Sequence, residues 1–194
     1  MEHNQPVAVV GVSTLFPEAE GNRSFWQNIL EGRDSVTEVP PSHWLIEDYY
    51  HPDPAAIDKI YCKRGAFLAE IDFNPVEFAV PPNNLRATDT CQLLALVVAK
   101  KVLAEVGRSQ FKNLDREKTS IILGVASTTE LVTHLGSRIQ RPFWAKALRE
   151  EGLPEEAVQQ ICDRIADSYV PWQENSFPGL LGNVVAGRIA QKAG

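Results

Sequence analysis

The spacing of apolar residues predicts one unusual helix near the carboxyl end of the chain. Residues 175–194 contain Ser176 as a capping residue, Pro178 in the first turn and Gly194 just past the end. At about 100° per residue, the small residues share one arc: Gly179, Gly182, Ala186, Ala190 and Ala193. The bulky residues lie opposite: Leu181, Val184, Val185 and Ile189. Since neither face is polar, we expect this helix to lie between two packed layers.

Two short apolar runs predict buried strands. Val7–Val12 and Thr119–Ala126 are nearly continuous in apolar residues and lead into loops, as strands of a parallel sheet do. Arg64–Leu68 predicts a further short strand. Together with the helices, these runs predict an α/β fold.

An amphipathic helix is expected after the first run. Asn22 is its predicted cap and Gly32 its predicted end. Its expected inner face consists of Phe25, Trp26, Ile29 and Leu30. The stretch that follows, residues 35–73, is rich in prolines and aromatics without a helical period, which predicts a long loop.

A long helix is predicted from Thr88 or Asp89 to Gly107, with Gln92 at the third position after the Asp89 cap. Apolar residues cover most of its circumference: Leu93, Leu94, Leu96, Val97, Val98, Val102, Leu103 and Val106. Only Lys100, Lys101 and Glu105 mark a solvent side. We therefore expect this helix to be mostly buried.

Two further amphipathic helices are expected, one opened by Pro142 and ending at Gly152, the other opened by Pro154. The first should turn Phe143, Trp144, Ala147 and Leu148 inward, and the second Val158, Ile161, Cys162, Ile165 and Tyr169. They predict a helical insertion at about 130–171. No linker divides the chain, so residues 1–194 are expected to form part of a single domain.

Composition narrows the class of protein. The 194 residues are 44% hydrophobic and 23% charged, with a net charge of −6 and no block of Lys or Arg. This balance disfavours a nucleic-acid surface. No apolar run reaches membrane-spanning length, and the amino end does not resemble a secretory signal. Three widely spaced cysteines predict a reducing compartment, so we expect a cytoplasmic protein.

Single residues with reactive side chains give little sign of catalysis. Cys91 lies in the first turn of the long helix, where a thiol pKa can be lowered, but no activating His or Lys is near it in sequence. Cys162 belongs to a packed helix face. Ser127 follows a predicted strand without the G-x-S-x-G pattern, so its hydroxyl is expected to satisfy loop backbone. We expect all three to be structural.

Metal and nucleotide sites are also disfavoured. His43, Asp48, His51 and Asp53 lie in one loop, but their spacing matches no metal-ligand motif. Both G-x-G-x-x-G and G-x-x-x-x-G-K-[ST] are absent. No metal site and no directly bound cofactor is expected.

Several separated blocks together resemble the N-terminal part of a β-ketoacyl synthase, a condensing domain of the thiolase superfamily found in polyketide and polyunsaturated fatty acid synthases. The blocks are Val7–Gly11 with Phe16-Pro17 and Phe25-Trp26, Asp34–Val36 through Pro40 to Trp44, Gly65–Leu68, Phe73–Phe78, Ala87–Leu94 and Leu180–Ala190. Thr90 and Cys91 replace a usual proline and glutamine, a variant that is more similar to polyunsaturated fatty acid and glycolipid synthases.

The resemblance implies the N-terminal half of a thiolase-like layered αβαβα fold, with a mixed sheet and a buried helix, incomplete at the carboxyl end. It places the catalytic cysteine and two histidines beyond Gly194. His3, His43, His51 and His134 match no family motif and inherit no role. We therefore expect 1–194 to be a fragment without catalytic residues, inactive and poorly stable alone, that contributes framework, dimer surface and the loop around Trp44.

For the complete domain the resemblance implies a decarboxylative Claisen condensation. Its partner would be an acyl carrier protein that carries acyl and malonyl groups on phosphopantetheine, and the complete protein would be a homodimer. Two alternatives remain open. One is a fragment of a non-catalytic partner of the same fold, such as a chain-length factor. The other is an unrelated α/β domain that binds a nucleotide or coenzyme.

Overall fold

Helices dominate the structure, a computed structural model that describes residues 6–108, 115–126 and 130–193. The chain divides into two compact units between Asp72 and Phe73. The first contains α1 (Asn22–Glu31), β1 (Thr37–Glu38), α2 (Ile46–Tyr49) and β2 (Arg64–Gly65). The second contains α3 (Pro82–Leu85), α4 (Thr90–Arg108), a 3₁₀ turn (Arg116–Lys118), α5 (Glu130–Ile139), α6 (Arg141–Glu150), α7 (Glu155–Asp167), α8 (Ser176–Leu180) and α9 (Val184–Ala193). The assignment of 1–194 to one domain stays a prediction.

The described residues contain one small sheet, in the first unit. β1 and β2 are antiparallel, with Thr37 opposite Gly65 and Glu38 opposite Arg64. The Arg64 guanidinium also donates to the Val36 carbonyl at 2.8 Å. The strand predicted at Arg64–Leu68 is thus confirmed for its first two residues, where it closes the long loop after α1.

The limits of α1 agree with the prediction, but its packing does not. Gly32 ends the helix in the left-handed region (φ 62°), which glycine adopts without strain. Gly21 rather than Asn22 is the capping position, and the Asn22 amide instead donates to the Val12 carbonyl at 2.6 Å. The expected inner face is largely exposed, with Trp26 at 60%. Within the described part of this unit, Phe25 alone of that face has an aromatic partner: it stacks on Phe16 at 4.3 Å.

Two predicted strands are wrong. Val7–Val12 and Thr119–Ala126 run without strand pairing, and Val7 and Ile122 are 93% and 91% exposed. A buried strand needs neighbours that pair its N–H and C=O groups and cover its side chains. The described ranges supply no pairing strand to either segment and leave most of their apolar side chains exposed, although Ile121 packs against the core of the second unit. The described sheet is therefore two-stranded and antiparallel, not mixed.

The core of the second unit forms where α9 packs on α4. Its buried residues are Phe78, Val80, Leu96, Val185 and Ile189. Two of them come from the predicted bulky face of the carboxyl-terminal helix, which is confirmed as an interior face. On α4 the predicted solvent side is confirmed as well, since Lys100, Lys101 and Glu105 are exposed.

The carboxyl-terminal segment is two helices rather than one. α8 stops at Leu180, Leu181 is extended (φ −85°, ψ 121°), and α9 begins at Val184. Ser176 is fully buried instead of capping. Ala190, on the small-residue arc, is exposed, so a covering layer on both sides is not seen within the described residues.

α5, α6 and α7 follow one another through the predicted insertion. α6 packs on α7 around a second cluster of Ala145, Val158 and Cys162, which Trp144 and Leu148 flank. The predicted inner face of α7 is confirmed, but Phe143 and Ala147 of α6 are exposed. α5 was not predicted as a separate helix; Leu131 and Leu135 are its buried residues. No helix in the described ranges combines the length and apolar character that a membrane crossing requires.

Replacing Val158 by alanine should lower the free energy of unfolding by about 2 kcal/mol, because a fully buried side chain loses two methyl groups inside a closed cluster. Val132→Ala on α5, where the side chain is about half exposed, is the matched control and should change it by less than ~0.5 kcal/mol. Urea unfolding followed by circular dichroism measures both. Equal losses would contradict the packing described for α6 and α7.

Candidate functional site

Helices α4, α5 and α8 meet at one place, which we call the helix junction: residues 87–92, 178–181 and the first turn of α5. Three residues form its contacts: Gly179, which has no side chain, the buried carboxylate of Asp89 and the buried amide of Gln92. All three belong to the second unit.

Gly179 brings α8 into direct contact with the segment before α4. A Cβ atom at this position would lie 1.7 Å from the Ala87 carbonyl oxygen. The Gly179 carbonyl in turn accepts the Asp89 N–H at 3.0 Å. Any side chain at Gly179 would therefore separate the two backbones and break this hydrogen bond.

Asp89 is the cap of α4, as predicted, and also touches α5. Its buried carboxylate accepts the Cys91 N–H at 3.1 Å through Oδ1 and the Leu131 N–H at 3.5 Å through Oδ2. Both are N–H groups of a first helical turn, which have no partner inside their own helix. Beside them the Thr90 hydroxyl donates to the Glu130 carboxylate at 2.6 Å. One carboxylate thus links the starts of two helices.

Gln92 is fully buried and connects α4 to the end of α8. Its Nε2 donates to the carbonyl oxygens of Pro178 at 3.0 Å, Gly179 at 2.7 Å and Leu181 at 3.2 Å. These bonds direct the side chain toward α8 rather than back to the α4 cap, which lies three positions before it. The last carbonyls of a helix have no intrahelical donor, and the Gln92 amide supplies one.

Cys91 lies at the helix junction without being activated. Burial, followed by the hydrogen bond and negative charge of Asp89, raises the pKa of its thiol to about 11. A thiol in this state is a poor nucleophile at neutral pH. Cys162 is completely buried and Cys62 is exposed, while Ser127 lies outside the described residues.

The histidines have structural contacts. His43 packs edge-on against Phe67 at 4.7 Å, and Nδ1 of His51 accepts the Asp53 N–H at 3.1 Å. His134 Nδ1 accepts the Val170 N–H at 3.3 Å. His3 lies outside the described residues. Among those described, no three His, Cys, Asp or Glu side chains converge on a metal position.

An open cavity of about 440 Å³ adjoins the helix junction. Asp89, Glu130, His134 and Tyr169 are among its lining residues. The polar groups named above already have partners within the protein: Asp89 binds two N–H groups, Glu130 a hydroxyl and His134 an N–H. The arrangement therefore holds helices together and offers no activated nucleophile.

Comparison with known proteins gives the family. The model of the β-ketoacyl synthase N-terminal domain matches residues 4–194. The chain belongs to the β-ketoacyl synthase family. This ketosynthase chain is 32% identical over 189 residues to a polyunsaturated fatty acid synthase protein of Thraustochytrium, which is 96% of this chain but 7% of that protein.

Other relatives are polyketide synthases. A phenolphthiocerol/phthiocerol polyketide synthase protein of Mycobacterium tuberculosis is 32% identical over 136 residues, 69% of this chain and 7% of that protein. The polyketide synthase PksN of Bacillus subtilis is 34% identical over 125 residues, 64% of this chain and 2% of that protein. The ketosynthase chain thus spans less than a tenth of the length of these relatives.

Among solved structures, an oxazolomycin ketosynthase domain of Streptomyces albus is 35% identical, with a TM-score of 0.48 over 50% of this chain and 17% of that one. The family assignment rests on the sequence matches. The resemblance inferred from separated sequence blocks is confirmed by them.

The sequence predicts the helix junction only in part. It offers Thr88 or Asp89 as the cap of α4, places Gln92 three positions after Asp89 and puts Gly179 on the small-residue arc of the carboxyl-terminal helix. A polar residue facing inward on an otherwise apolar helix was the available signal for Gln92. For Gly179 the sequence held no signal that separates a close backbone contact from a general preference for small residues.

Gly179→Ala should lower the free energy of unfolding by more than ~3 kcal/mol, because the new methyl group overlaps a backbone oxygen that cannot move alone. Gly187→Ala, at an α9 position with open space around it, should raise it by about 0.5–1 kcal/mol. Chemical denaturation of the two variants beside the native chain tests both signs. A tolerated alanine at position 179 would contradict the close contact.

The three cysteines should differ in their rates of alkylation. At pH 8 a pKa of about 11 leaves only about one Cys91 thiol in a thousand ionised, so iodoacetamide should modify exposed Cys62 first and spare Cys91 and Cys162. Peptide mass spectrometry measures the order, and the urea-unfolded chain, in which all three should react alike, is the control. Preferential labelling of Cys91 would show that its thiol is activated after all.

Proposed function

We propose that this chain is the N-terminal part of a condensing enzyme that extends an acyl chain by decarboxylative Claisen condensation with malonyl carrier protein. The observation that carries the proposal is the family match over residues 4–194. Identity to a polyunsaturated fatty acid synthase over 96% of the chain supports it.

In the proposed reaction a cysteine thiolate outside this chain attacks the acyl thioester and releases the carrier thiol. The malonyl thioester then loses carbon dioxide, and the resulting enolate attacks the acyl carbon and expels the cysteine thiolate. Hydrogen-bond donors stabilise each oxyanion. We propose that residues 1–194 contribute framework to this reaction. The raised pKa of the Cys91 thiol supports this for the helix junction.

The proposal extends to the surroundings of the enzyme. An acyl carrier protein would deliver acyl and malonyl groups on phosphopantetheine, and no cofactor would bind this chain directly. We further propose a homodimer in the cytoplasm and, for the complete domain, a thiolase-like layered αβαβα fold. The names of the relatives, fatty acid and polyketide synthases, support the carrier-protein partner.

The complete protein, incubated with acyl and malonyl carrier proteins, should yield a 3-oxoacyl carrier protein two carbons longer than the acyl donor, detected by intact-protein mass spectrometry. Residues 1–194 alone should yield none, because the proposed nucleophilic cysteine lies outside them. A complete protein that forms neither an acyl-enzyme nor an extended product would contradict the proposal. That result would favour the non-catalytic partner of the same fold.

A further inference from the structure

The turn between α8 and α9 is contacted by a side chain from a third helix, α4. Residues 176–193 have the composition of one continuous helix, yet the helix stops at Leu180 and restarts at Val184. Pro178 and the glycines weaken a helix here, and Gly182 lies within the break. The Gln92 amide contacts the carbonyls at the break.

The geometry of this amide is one-sided. Its nitrogen donates to all three carbonyl oxygens, while Oε1 is buried and has no hydrogen-bond partner among the described residues. Three carbonyl oxygens can face only the donor end of an amide, so the hydrogen-bond network fixes its orientation. An unsatisfied buried acceptor is costly.

The break also fixes what α9 packs against. Val185 and Ile189 enter the core with Leu96, which lies one helical turn after Gln92 on α4. Gln92 thus anchors the start of α9 to the same helix on which α9 packs. If α8 continued through Leu181, the following residues would rotate by about 100° for each residue added to the helix, and these two side chains would leave the core.

We propose that Gln92 is a positioning residue for the condensation: by ending α8 it sets the start and direction of α9, and through α9 the placement of the reacting groups that follow. This inference rests on the proposed function. Gln92 touches no reacting atom, so its effect should appear in the rate of the chemical step rather than in carrier-protein binding.

The test uses the complete protein with Gln92→Met, which keeps the length of the side chain and removes the hydrogen-bond donor. The matched control is Gln160→Met, at an exposed position of α7. Activity is expressed per folded protein, so that a loss of stability alone leaves kcat unchanged. Gln92→Met should lower kcat by about 10- to 100-fold, the effect of a misplacement on the order of 1 Å, with KM for the acyl carrier protein unchanged. Gln160→Met should match the native enzyme.

Gln92→Glu gives a second readout and serves where Gln92→Met yields little folded protein. A buried carboxyl group beside three carbonyl oxygens has a raised pKa, so it donates one hydrogen bond when protonated and repels the carbonyls when charged. The kcat of this variant, divided by that of the native enzyme, should rise as pH falls from 8 to 6. A ratio that does not change with pH would overturn the inference.

Hydrogen exchange separates this inference from the proposed function. Amides of residues 181–189 should exchange faster in Gln92→Met than in Gln160→Met, because the anchor at the start of α9 is lost. If the native enzyme condenses, two results overturn the inference and leave the proposed function standing. One is unchanged exchange at residues 181–189, and the other is a kcat of Gln92→Met equal to that of the native enzyme. A native protein that does not condense overturns the proposed function, and faster exchange in the variant would then still support the placement of α9.

Discussion

The contact between Gly179 and the Ala87 backbone is the constraint on which the second unit depends. Without a side chain, the α8 backbone comes close enough for the Asp89 N–H and the Gln92 amide to reach the same carbonyl oxygen. The Asp89 carboxylate then caps α4 and touches the start of α5. The segment before α4, together with α4, α5 and α8, is therefore connected by a few hydrogen bonds that share residues. Bonds in such a network can strengthen one another.

Two groups at or beside the helix junction that look reactive in sequence have structural contacts. The Cys91 thiol has a raised pKa next to Asp89, and His134 accepts a backbone N–H. What the helix junction does fix is the path of the polypeptide into α9. Under the proposed function, that path carries the chain toward the condensing site.

Much of the helical structure followed from sequence because its signals are local. The ends of α1, α4 and α7 depend on capping residues, glycine and proline, and periodicity identified the buried face of α7. The two strand predictions are wrong because a strand depends on pairing strands that are distant in sequence. Val7–Val12 and Thr119–Ala126 have no pairing strand in the described ranges. The prediction of one continuous helix across Leu181 is wrong for the same reason, since Gln92, which contacts the break, lies 89 positions away from Leu181.

A double-mutant cycle between positions 92 and 179 tests the central claim most directly. If both positions serve one contact, Gly179→Ala already removes the interaction that Gln92→Met would remove. The double variant should then lose at least ~1 kcal/mol less free energy of unfolding than the sum of the two single losses. Losses that add within ~0.5 kcal/mol would show two independent sites, and would contradict a single junction.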